Sequence, residues 1–248
     1  MEYVIERKKL SDQVLAYLQA EIVSGKLRPG DHLPSERDLM ENFGVGRPTI
    51  REALFSLQRM GLVALSSGSR ARVTEPTPQV ILNELSGAAQ YLLNQEGGQD
   101  YFQQARAFLE LGLARFAAVK ATTEDLRKME EALATNEKAI GDGELFKETD
   151  IAFHYVLAEI PRNPIFLALH QAMADWLTDQ RATTLRVQGQ ERIAFEAHEK
   201  IYNAILKGDP NLAEQAMENH LEQLFTVYRR VKAGEPLPKI ARSAMKAV

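Results

Sequence analysis

The sequence predicts a mainly α-helical chain in two parts, a small head of three helices and a hairpin followed by an antiparallel all-helical bundle. Three observations carry this expectation. Short amphipathic segments closed by glycines fill the N-terminal part, a pair of short apolar-rich runs flanks Ser66-Ser67-Gly68-Ser69, and almost everything after Pro78 keeps a helical period.

Leu10 to Ser24 places Val14, Leu15, Leu18 and Ile22 at three- and four-residue spacing, with Ser11 as the expected N-cap and Gly25 past the end. Leu27 to Asp31 reads as a turn. Ser35-Glu36-Arg37-Asp38 then has the spacing of a capping box and opens a short helix to about Phe43, which Gly44 ends. A third helix begins around Arg47-Pro48, because proline is tolerated in a first turn, and runs to Met60 before Gly61. Its Ile50, Ala53, Leu54 and Leu57 form one face, leaving Arg47, Arg51 and Gln58 on another. Leu62–Leu65 and Arg70–Val73 form the expected hairpin, and three helices plus a hairpin make a winged helix-turn-helix over residues 1–74. Thr74-Glu75-Pro76-Thr77-Pro78 can continue neither strand nor helix, so a linker is placed at 75–79. The helical bundle then covers 80–233, with helices expected at about 79–93, 100–121, 123–140, 144–160, 163–183, 191–207 and 210–233. Residues 234–248 read as a flexible tail.

A chain of 248 residues, 45 % hydrophobic and 26 % charged, has room for two ordinary cores. It has no run of about 18 apolar residues, so no membrane span is expected. Met1 to Lys9 lacks the apolar core and cleavage site of a secretory signal, and there is no cysteine. Both features point to the cytoplasm, and the second excludes disulfides, thiolate metal sites and cysteine nucleophiles. The net charge of −4 is unevenly spread: residues 1–76 carry 11 Lys and Arg against 10 Asp and Glu, the remainder 19 against 24. Between positions 47 and 72, five arginines face Glu52 alone, a basic patch on an acidic chain.

Reading DNA requires a helix whose exposed N-terminal side chains reach base edges and nearby cations that hold phosphates. Arg47 and Arg51 lie one turn apart on the third helix, and an arginine fork matches two acceptors of guanine. Thr49 and Ser35 offer short donors to phosphate, Arg37 a cation from the second helix, Gly68 a close approach in the wing and Arg70 further charge. In the bundle, Asp150 and His154 stand four apart on one helix, while His198 and His220 sit on the last two. By spacing alone, this carboxylate and these three imidazoles either hold a divalent ion or are packed side chains of the helices.

The stretches Leu27 to Leu39, Gly46 to Leu54 and Leu57 to Leu62 resemble the GntR superfamily of repressors. The resemblance implies operator contacts at Arg37, Arg47, Thr49, Arg51 and Gly68, and a homodimer on a palindromic or repeated site. The bundle is similar to the FCD effector-binding domain of the same superfamily. Metal-binding FCD members carry an Asp-x-x-x-His pair and one histidine on each of two later helices, which Asp150, His154, His198 and His220 match, so the resemblance implies a divalent cofactor, zinc first. It also implies that Arg106, on an early bundle helix, holds the carboxylate of a small effector. The structural alternative is a pair with Glu110, one turn on. Asn163 and Arg192 are further effector-pocket candidates, whereas His32 and His170 match nothing and read as structural. Asn83 to Gly87 and Leu157 to Phe166 are similar to segments of sialic-acid-responsive members of the family, which implies a sugar-acid effector. This chain departs from them in a shorter N-terminal arm and the lack of cysteine, and other carboxylates (uronate, aldonate, lactate) stay open. The expected function is thus a ligand-responsive repressor and not an enzyme. A metalloenzyme using the three histidines to activate water, or a pure metal sensor, are the rivals.

Overall fold

The computed structural model describes residues 9–236. The sequence-based expectations for residues 1–8 and for 237–248 of the tail lie outside them. The chain divides into two compact units, one up to Leu85 and one from Ser86.

In the first unit, α1 (Leu10–Val23), α2 (Glu36–Phe43) and α3 (Arg47–Arg59) precede β1 (Val63–Ala64) and β2 (Arg72–Val73). The strands pair antiparallel with Val63 opposite Val73. The 31–33 segment lies along β2: Leu33 N–H donates to the Ala71 carbonyl and Val73 N–H to the Asp31 carbonyl, both at 2.8 Å. A third strip of backbone therefore steadies a hairpin that alone would be marginal. Val14, Leu18, Leu33, Leu39, Ile50, Leu57, Val63 and Val73 meet in one core. The helix cap at α1 differs from expectation. Lys9 occupies the N-cap, and Ser11 is buried inside the first turn.

Residues 74–77 lie between β2 and α4 (Pro78–Leu93). The division between the units falls inside α4, further along the chain than the 75–79 joint. Gly61, at φ 68° where a side chain would be strained, leaves no room for a Cβ: Val80 Cγ2 would lie 2.8 Å from it.

The second unit is helical throughout its described residues, with α5 (Gly98–Lys120), α6 (Thr123–Lys138), α7 (Gly143–Glu159), α8 (Pro164–Trp176), α9 (Thr178–Leu185), α10 (Gln190–Leu206) and α11 (Pro210–Ala233). Helix α5 packs on α11 and α10, α10 on α11, and α7 on α6 and α8. Their shared core gathers Leu113, Ala117, Met129, Phe153, Leu157, Ile201, Met217 and Leu221. Start signals are explicit. Thr122 and Asp125 form a capping box on α6, and Asp209 accepts from the backbone of Asn211 and Leu212 ahead of Pro210. The single helix expected over 163–183 is instead two. Leu177, at φ −100° and ψ 15°, interrupts it, and its side chain is buried with Ala89, Leu93 and Phe102. The break starts α9, which contacts α7, α10 and α11.

Gly98 sets the start of α5, the helix that carries Arg106 and Glu110. A Cβ there would lie 2.0 Å from the Leu92 carbonyl oxygen, a backbone atom that cannot swing aside. Gly98→Ala is expected to destabilise by about 1–3 kcal/mol or more, as overpacking does. A thermal melt should therefore show Tm lower by several degrees, and an unchanged Tm would contradict the tight α4–α5 corner.

Candidate functional site

Two regions carry chemistry, one in each unit. In the head, Gly46 caps α3, so Arg47, Pro48 and Thr49 form its first turn. The apolar face of Ile50, Ala53, Leu54 and Leu57 is buried, which turns Arg47 and Arg51 outward. A cleft of about 640 Å³ lies between this helix, the start of α2 and the wing, lined by Ser35, Arg37, Arg47, Arg51, Gly68 and Arg70 among others. Gly68 adopts φ 76° with open space where a Cβ would be, as the tip of a wing requires. Ser35 accepts the Asp38 N–H as an N-cap while its own N–H donates to Asp38 Oδ2 at 3.1 Å. Its cap role is thus structural, and its hydroxyl hydrogen stays free to donate. Two residues of the cleft were missed from sequence. Glu36 sits between Arg47 Nε at 3.3 Å and Arg51 Nε at 3.8 Å, and exposed Phe55 lies under the Arg51 guanidinium at 5.7 Å. Pairs this exposed contribute little, so both arginines are available to a stronger anion.

The second region is a polar cluster inside the apolar bundle. Helix α7 supplies Asp150 and His154 one turn apart, α10 supplies His198 and α11 supplies His220; all four are buried. One ligand atom from each lies within 4.8 Å of the others. The three imidazoles stand with ring centres 4.8–5.4 Å apart. Around them lie Arg106 and Glu110 from α5, His170 from α8 and Arg181 from α9, also buried.

Each buried charge has an opposite neighbour. Arg181 Nε donates to Asp150 Oδ2 at 2.7 Å, and Arg106 Nε donates to Glu110 Oε1 at 2.6 Å. Burial pushes the Asp150 carboxyl up, but Arg181 and the surrounding histidines outweigh it and hold the group below the carboxylate range. Glu110 follows the same balance: burial opposes ionisation, and Arg106 and His154 overcome it. The imidazoles move the other way. Burial lowers His198 to about 3 and His170 to about 4 and takes His220 well below its ordinary value, with the Asp150 or Glu110 carboxylate only partly compensating. Near neutral pH these three rings are uncharged, the form in which an imidazole nitrogen ligates a metal.

Several polar atoms in this cluster have no hydrogen-bond partner: Arg106 Nη2, Arg181 Nη1, His154 Nε2, His170 Nδ1, His198 Nε2 and both nitrogens of His220. Such groups cost roughly 1–3 kcal/mol each when buried and unmatched, so their convergence marks a place built around something else. Nitrogen and carboxylate donors in this number fit a divalent ion with one or more positions left open. His154 Nδ1 stands 2.5 Å from Glu110 Oε2 without a hydrogen-bonding angle, a contact that turns the other ring nitrogen toward the cluster.

Of the residues expected from sequence, the structure brings Asp150, His154, His198, His220 and Arg106 together. Arg106 does pair with Glu110, yet one nitrogen of its fork remains unmatched, so the two readings of it coexist. Asn163 and Arg192 are not brought to the cluster. The Asn163 side chain accepts the Ile165 N–H at 2.9 Å as the cap of α8 and lines a surface groove with Lys128, Glu159 and Arg162. Arg192 is exposed, with its guanidinium 5.9 Å from the Phe195 ring. His170, read as structural from sequence, is buried beside the cluster. Arg181 was missed because no spacing rule links α9 to α7. Nothing local in the sequence sets it apart, since Asp179 and Arg186 flank it as ordinary surface charges would.

The chain matches two family models: "Bacterial regulatory proteins, gntR family" over residues 10–73 and "FCD domain" over residues 102–223. It is 44% identical over 227 residues to the HTH-type transcriptional repressor NanR of Cronobacter sakazakii, covering 91% of this chain and 87% of that one. It is 41% identical over 237 residues to the protein of the same name in Enterobacter sp., covering 95% and 91%. Among solved structures, Streptococcus agalactiae GntR superposes with a TM-score of 0.59 at 24% identity over 88% of this chain and 99% of that one, a likeness of fold. No helix among the described residues is long and apolar enough to cross a membrane. The basic reading helix, the wing and the helical bundle therefore have one explanation: the chain belongs to the GntR family of bacterial transcriptional regulators, in the group that joins a gntR winged helix to an FCD domain, and it is a DNA-binding repressor, not an enzyme.

Proposed function

We propose that this repressor responds to a sugar acid, sialic acid first, bound against a zinc ion in the bundle, and that it acts as a homodimer on operator DNA in the cytoplasm. The observation that carries the proposal is the set of unmatched buried atoms around Asp150, His154, His198 and His220. These four residues would hold the ion, and when bound it would supply a Lewis-acidic pole for carboxylate and hydroxyl oxygens. The chain's own residues do the rest. Arg106 Nη2 and Arg181 Nη1 are free to donate to an effector carboxylate, and the surrounding apolar core excludes water from the pairing.

Charge balance supports an anionic effector. The two carboxylates and two guanidinium groups of the cluster cancel, and the three shifted imidazoles are neutral. A divalent ion leaves the buried site with excess positive charge, which an incoming carboxylate relieves. Binding regulates only if the effector favours one arrangement of the dimer's two heads over another.

In the head, Arg47 and Arg51 would enter the major groove, with Ser35, Arg37, Thr49, Gly68 and Arg70 on the backbone. Arg51→Ala is expected to weaken operator binding by about 1–3 kcal/mol, the cost of losing one bidentate base contact. Fluorescence anisotropy against salt checks it, and operator affinity equal to wild type would remove α3 as the reading helix. In the bundle, His220→Ala is the clean probe, since neither of its ring nitrogens has a protein partner to orphan. Metal affinity should fall at least about tenfold. Sialic acid should raise the Tm of the metal-loaded wild type in proportion to its occupancy and should no longer do so in the variant. A shift from uronates or aldonates alone would reassign the effector. Operator release by zinc with no organic acid would make the chain a metal sensor.

A further inference from the structure

Asn136 and Thr149 take no part in the ligand set, yet both are buried in the bundle beside it, Asn136 completely. Asn136 lies in the last turn of α6, Thr149 precedes Asp150 on α7, and His198 lies on α10, so the three residues tie three helices at one point. The Thr149 hydroxyl donates back to the Leu145 and Phe146 carbonyls at 3.0 Å each. That commits its hydrogen, and a lone pair of its oxygen accepts the Asn136 Nδ2 at 2.9 Å. The amide is thereby oriented, and Asn136 Oδ1, which can only accept, faces His198 Nδ1 at 2.9 Å. The hydrogen of a neutral His198 ring must then sit on Nδ1. Nε2 is left bare, 3.4 Å from Asp150 Oδ1 and without a hydrogen bond to it.

We infer that Asn136, held by Thr149, is a positioning residue that fixes His198 with its hydrogen on Nδ1 and so presents Nε2 as a ready metal ligand. The inference rests on the metal-site reading above and adds to it the group that chooses the tautomer. A metal-ligating histidine commonly donates its other N–H to an acceptor, and loss of that acceptor typically costs 10–100-fold in metal affinity. Here the acceptor is a neutral amide, which adds no charge to a cluster whose carboxylates are already matched by arginines.

The test compares Asn136→Leu, which keeps the volume and removes the acceptor, with Asn136→Asp, which keeps an acceptor oxygen toward Nδ1. Full-length wild type and both variants are titrated with Co²⁺ and with Zn²⁺, and nitrogen NMR on histidine-labelled, metal-free wild type reads the His198 tautomer. The expected result is a loss of roughly 10–100-fold in metal affinity for Leu, most of it recovered in Asp, and a hydrogen on Nδ1 in wild type. A purely packing role would give the opposite order, with Leu tolerated and the buried charge of Asp damaging. A hydrogen on Nε2, or a Leu variant binding like wild type, overturns the inference while leaving the metal site standing. A wild-type chain that takes up neither metal overturns both. Should Leu fail to fold, the wild-type tautomer and the Asp titration still decide.

Discussion

The bundle is organised around a requirement that a helical core rarely meets, which is to keep two carboxylates, two guanidinium groups and several imidazoles away from water. Removing one partner of such a buried pair leaves the other uncompensated at a cost of about 3–5 kcal/mol, so the pairs constrain one another. Arg181 must come from α9 to meet Asp150 on α7, and Arg106 must sit one turn before Glu110 on α5. The helices are placed by these obligations as well as by apolar packing. Phe153 shows the join: it stacks on His198 at 4.5 Å on one side and belongs to the shared apolar core on the other.

The same requirement explains why the cluster is not saturated. A core optimised for stability alone would match each polar atom or replace it with a hydrocarbon of similar shape. This one leaves single nitrogens of both arginines and nitrogens of all four imidazoles unmatched. Unmatched buried donors and lone pairs cost free energy, so whatever satisfies them binds with that difference in its favour. Stability and ligand affinity are therefore set by the same atoms.

Much of this was legible in the chain. The capping box at Ser35, the glycine after Phe43, the proline after Arg47 and the Asp209-Pro210 start are local rules, and each element they mark lies where the sequence placed it to within a few residues. Asp150 and His154 could be paired because four residues along a helix is one turn. What could not be read were the partners set by tertiary packing. Leu177 interrupts a helix of good periodicity because its side chain is buried with Phe102, and no local signal announces that. Arg181 follows from that break, and the cap that Asn163 forms on α8 went unread because an asparagine before proline serves as a cap as readily as it lines a pocket. Ser11 was read as a cap because it precedes the apolar run, and is instead buried within the first turn behind the Lys9 cap.

The break at Leu177 gives the cluster a mechanical consequence. Helix α9 is eight residues long, and of its four buried residues Gln180, Arg181 and Thr184 are polar while Leu185 alone is apolar. Apolar burial of one leucine contributes about 1.5–3 kcal/mol, far less than the ordering entropy of eight residues. The helix is held in place by Arg181 on Asp150 and by the Gln103 amide on Gln180. Those contacts end on a member of the candidate ligand set and on α5. Helix α9 thus depends on Asp150 for its docking, whereas α7 and α10 also place Phe153, Leu157, Ile201 and Ala204 in the apolar core. A short helix fastened mainly by buried polar pairs thus lies beside long helices fastened mainly by hydrocarbon, so the polar cluster is a structural requirement of this bundle in its own right.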